Sequence, residues 1–64
     1  MSLYDYKMSQ KIAAEDWPFY ALIMAAMRQA DSNNIEKLEA AWPDVHDELF
    51  ARYHAPDGVL KEDR

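Results

Sequence analysis

The chain has 64 residues, no cysteine, one glycine, three prolines and a formal net charge of −5. That length holds one domain and excludes a large enclosed core, because a chain this small buries only roughly 60% of its unfolded surface. The missing cysteines exclude disulfides and thiolate metal sites. The acidic balance argues against a general binder of nucleic-acid backbones, which neutralises phosphates with lysine and arginine.

The N-terminal segment MSLYDYKMSQK lacks the apolar core of a secretory signal, and with no cysteine a cytoplasmic setting is expected. Ser2 with Asp5 three residues on has the spacing of a capping box, Asp standing in for Glu. Tyr4, Met8 and Ile12 follow at i, i+4, i+8, which predicts a first helix from Leu3 or from Ser9 to Glu15.

Pro18 to Ala30, PFYALIMAAMRQA, is the longest apolar run and predicts a central helix. Ala, Leu and Met are strong helix formers. Asp16 is the expected N-cap and Pro18 the expected first-turn residue, while Trp17 is pushed from helical angles by the proline after it. Phe19, Leu22, Ile23, Ala26 and Met27 form one stripe, yet Tyr20, Met24 and Ala25 outside it are apolar too. A helix apolar most of the way round is normally buried on several sides. It is too short for a bilayer, which needs about 20 residues, so no membrane span is expected.

Asp31-Ser32-Asn33-Asn34 reads as a turn, with Asn33 and Glu36 as the capping box of a third helix, Asn34 to Ala41. Trp42-Pro43 ends it and opens a fourth, Pro43 to His54, with Val45, Leu49 and Tyr53 as its apolar line. Ala55 to Gly58 is a turn, and residues 59–64 form a tail that frays unless Val59 and Leu60 dock. Residues 1–58 are thus one helical domain. The two Trp-Pro joints give its halves an echo of helix, joint, helix, and no strand alternation is present. The expected fold is all-α, three or four short helices around the central one. Homo-oligomerisation is expected to complete it, since small scaffolds without staples often associate.

The charge is segregated. From Asp31 to Phe50 six acids face the single Lys37, so the whole excess lies there. Glu36, Glu39, Asp44, Asp47 and Glu48 are the candidate surface for a protein partner with a basic site, set against the plainer role of a solvated face. A second candidate set pairs aromatic faces with arginine forks: Tyr4, Tyr6, Tyr20, Arg28, Arg52, Tyr53 and His54, with Trp17 nearby. Such groups stack on bases and grip phosphates or carboxylates. If copies associate, Arg28 and Arg52 from different chains are candidates to line one pocket for a nucleotide signal. The plainer alternative has Trp17, Tyr20 and Tyr53 in the core and both arginines in ion pairs. His46 and His54 lie about 12 Å apart on a helix, too far for one metal ion, and no metal or cofactor is expected. Acid pairs such as Asp47 with Glu48 lack the cleft that splits catalytic pKa values, so no enzymatic activity is expected.

FYALIMAAMRQAD (Phe19 to Asp31), AWPDVHDEL (Ala41 to Leu49) and RYHAPDG (Arg52 to Gly58) resemble segments of small helical accessory proteins encoded by bacteriophages and prophages. The likeness covers about two-thirds of the chain and implies a phage setting in the bacterial cytoplasm. By analogy with small phage proteins that counter host defences, it implies blocking of an immune protein or sequestration of a nucleotide signal. A structural or regulatory phage subunit is the third possibility. No site residue is carried over from the resemblance.

Overall fold

The computed structural model describes residues 2–63 and is all-helical, with no strand among them. Four α-helices follow in chain order: α1 (Leu3–Ala14), α2 (Phe19–Gln29), α3 (Ser32–Ala41) and α4 (Pro43–Tyr53). Two short 3₁₀ turns, Pro56–Gly58 and Lys61–Asp63, complete the described chain.

Local chemistry accounts for each boundary. Ser2 caps α1, its hydroxyl oxygen accepting from the Asp5 N–H at 3.1 Å, and the same hydroxyl donates to the Asp5 carboxylate at 3.1 Å. Of the two expected starts for the first helix, the earlier one at Leu3 is observed. The joint to α2 differs from expectation. Asp16 has φ +57°, the left-handed conformation, and does not cap. Pro18 lies just outside the helix with φ −57° and ψ 143°, and its carbonyl accepts from the Leu22 N–H, so α2 opens with no side-chain cap. Pro18 holds the cap position, and Asp16 stands two residues before it, outside the place from which a capping side chain serves the first free N–H groups.

The third helix also starts earlier than expected. Asp31, rather than Asn33, is the cap, accepting from the Asn34 N–H at 2.8 Å, and Asn33 lies inside the first turn. Pro43 opens α4 at its first position, where no N–H is needed, and Asp44 follows in the first turn.

α2, α3 and α4 pack on one another, and the turn Pro56–Gly58 packs on α4. Met27 of α2 is the buried hydrophobic side chain among the described residues, 4% exposed. Ile23, Met24, Ile35, Leu38, Trp42, Val45 and Leu49 are half-buried. Within the single chain α2 is covered by α3 and α4 but not on every side: Phe19 and Tyr20 are 57% and 56% exposed, and α1 packs on none of the other helices. The chain therefore measures 42 × 27 × 17 Å with a radius of gyration of 13.6 Å. A compact chain of this length has about 11 Å.

Asp57 and Gly58 are both left-handed, φ +56° and +70°, and fold the C-terminal segment back against α4. A side chain at residue 58 has space, its Cβ meeting only the Arg52 carbonyl at 3.9 Å, so the positive φ is what favours glycine there. Arg52 secures the returned segment. Its guanidinium donates to the Gly58 carbonyl at 2.8 Å and forks onto the Asp63 carboxylate at 2.5 and 3.0 Å, while its Nε lies 3.5 Å from Glu48.

Candidate binding surface

α4 runs between two hollows, and its helical spacing decides which side chain faces which. Val45, Asp44 and Glu48 border the first, together with Tyr20 and Met24 of α2; it encloses about 230 Å³. Its floor is apolar and its edge carries two carboxylates. His46, Leu49, Phe50 and Tyr53 border the second, with Arg28 of α2 and Ile35 of α3, around about 300 Å³. That volume is at the lower end for a small-molecule site.

The five acids of the candidate protein-binding surface are all exposed. Asp44 and Glu48 edge the first hollow. Glu39 on α3 and Asp47 on α4 flank His46, whose Nδ1 lies 3.4 Å from Glu39 and 3.5 Å from Asp47. That nitrogen is buried and makes no well-formed hydrogen bond among the described residues. Donor atoms of Glu39, His46 and Asp47 lie within 4.8 Å of one another, which is close enough for a divalent ion, although both acids are exposed. Sequence spacing missed this trio because it joins two helices across the Trp42-Pro43 joint. Glu36 stands on α3, away from both hollows.

The aromatic and arginine candidates are divided by the fold. Arg28 and Tyr53 meet in the second hollow. His54 lies beside it, tilted at 59° to the Phe50 ring at 4.5 Å and edge-on to the Tyr53 ring at 5.4 Å. Tyr20 belongs to the first hollow and lies edge-on to Phe19 at 5.3 Å. Tyr4 and Tyr6 are on α1, 71% and 62% exposed, apart from both. Arg52 is engaged with Asp63, Gly58 and Glu48. The hydrogen bonds that the Asp63 carboxylate accepts hold the Arg52 guanidinium still more firmly protonated, and Arg52, aided by the Leu60 N–H, lowers the Asp63 carboxyl to about 2. Arg28 makes no ion pair among the described residues, which leaves its fork open toward the second hollow.

Phe50, Ile35 and Leu49, which complete that hollow, were read from the sequence as core or left unassigned. Their grouping with Arg28 depends on how three helices cross, and no spacing within one helix encodes it. No described helix is long and apolar enough to cross a membrane.

The chain matches no protein-family model, no curated protein and no solved structure.

Proposed function

We propose that this is a non-catalytic, self-associating binding protein of bacteriophage type that docks a host immune protein on the acidic side of α4. The observation that carries the reading is the first hollow. Tyr20, Met24 and Val45 offer an apolar seat, and Asp44 and Glu48 stand at its edge. An apolar centre with a charged rim is the anatomy of a protein interface, and the rim's sign selects a partner with a basic residue beside an apolar anchor. The segregation of acids into residues 31–50 adds long-range attraction to such a partner. The phage setting rests on the resemblance of Phe19–Asp31, Ala41–Leu49 and Arg52–Gly58 to phage accessory proteins, and the bacterial cytoplasm follows from it.

The test is phage plating on bacteria that carry single defence systems, with and without this protein. Protection of the phage should be lost with Asp44→Lys, Asp47→Lys and Glu48→Lys combined, and reduced with Asn, Asn and Gln at those positions. Circular dichroism should show both variants helical. Full protection by the reversed variant would refute the acidic-face reading.

A second reading has an observation of its own. Arg28, with no ion pair among the described residues, faces a hollow lined by His46, Phe50 and Tyr53, a setting for a small anion with a flat ring. In that reading the protein sequesters a nucleotide signal. Native mass spectrometry with a nucleotide panel should then show one stoichiometric adduct, lost with Arg28→Ala. Absence of any adduct would leave the acidic face alone.

A further inference from the structure

α1 is a twelve-residue helix, about 18 Å long, that packs on no other described helix. Between it and α2 lies an open groove of about 490 Å³. Ile12 and Trp17 form one wall and Ala21, Leu22, Ala25 and Ala26 the other, with no charged side chain among the lining residues. At helical spacing this wall is the side of α2 opposite Tyr20, Met24 and Met27, the side that faces α4. The alanines let another helix approach closely, at the short end of the usual 8–10 Å between axes (about 8 Å).

The exposed area says how much is missing. The chain exposes 5662 Å². A compact monomer of its 7.5 kDa exposes about 4,250 Å², leaving an excess of about 1,400 Å². A standard interface removes about 800 Å² per partner, and obligate dimers remove more. The excess is therefore the size of one obligate interface. The occupant must be apolar, uncharged at its centre and helical, and the α1 stripe at i, i+4, i+8, exposed Tyr4, half-buried Met8 and exposed Ile12, supplies such a surface.

We infer that the occupant is a second copy of this chain. The α1–α2 pair of one copy enters the groove of the other, and each α1 packs on the partner's α2 to give a two-fold, four-helix assembly. The same patch serves on both copies, as a two-fold interface requires. The inference rests on the self-association in the reading above and specifies its surface; the acidic side of α4 stays outside it, open to other partners.

Light scattering behind size exclusion tests it on the full chain. The wild-type protein should run at twice the chain mass of 7.5 kDa. Ala25→Arg puts a charge in the groove at an exposed helical position and should raise the concentration needed for pairing at least about tenfold, with helical dichroism retained. Ala51→Arg, at an exposed position of α4, should pair as the wild type does. Chains carrying Ile12→Cys mixed with chains carrying Ala25→Cys should oxidise to a mixed dimer in preference to Ile12→Cys with Ala51→Cys, and this holds the inference testable if Ala25→Arg unfolds. A single-chain mass at every concentration, undiminished pairing of folded Ala25→Arg, or equal cross-linking of the two mixtures would each overturn it. The triple charge reversal on α4 should still pair; full phage protection by that variant with pairing intact would overturn the reading of α4 and not the pairing, whereas loss of its pairing would count against the groove.

Discussion

Arg52 shows how one side chain can look like a ligand site and serve another end. Beside Tyr53 and His54 it has the company of an anion site, yet its fork closes on Asp63 and Nη1 donates to the Gly58 carbonyl as well. The pair lies in solvent, so its contribution is small and local. Its titration is nevertheless readable. Because the folded carboxyl is depressed, the docking of the tail is fully present above the ordinary carboxylate pKa near 3.9 and is lost as pH falls through the folded value. NMR titration of the Asp63 side-chain carbon should give a midpoint of about 2, with Lys61–Asp63 releasing as it protonates. Arg52→Ala should raise the midpoint toward the ordinary value of about 3.9. A wild-type midpoint already at 3.9 would contradict the fork.

At the scale of the element, caps decide where helices begin, and they explain which boundaries the sequence discloses. Proline at the first position and an acid behind it make the start of α4 unambiguous. Asp31, Ser32, Asn33 and Asn34 all have side chains that can cap. Asn33 with Glu36 imitates the spacing, but the carboxylate of Asp31 makes the charge-assisted bond, 2.8 Å from the Asn34 N–H, and caps the helix. Asp31→Ala should therefore cost about 1 kcal/mol, a fall in melting temperature of roughly 4–8 °C, whereas Asn33→Ala should stay within about 0.5 kcal/mol. Thermal denaturation followed by circular dichroism separates the two, and the reverse order would restore Asn33 as the cap. Helix existence was legible because periodicity and caps are local. The position of α1 was not, because it turns on the φ of Asp16, +57°, which nothing in the hydrophobic pattern signals. The same division holds for the surface: the acids were visible because they cluster within residues 31–50, and the company of Arg28 was hidden because three helices bring it together.

At the scale of the whole molecule, the three-helix unit α2–α4 is small and contains one buried side chain among the described residues. Pairing through the α1–α2 groove would make stability a function of concentration, because a partner that binds only the folded chain shifts the equilibrium by mass action. Scanning calorimetry at increasing protein concentration should show a rising melting temperature for the wild type and a flatter one for Ala25→Arg. A melting temperature independent of concentration would count against any dimer. The joint at residues 15–18 carries a further consequence. Its peptide bonds lie between an unpacked helix and the rest of the fold, the kind of exposed connector that proteases nick first. A lone chain would lose its arm there, and with it the means to pair, while chains made in quantity would shield one another. The protein's lifetime in the cell would then depend on how much of it is present, and a low level of expression would clear itself.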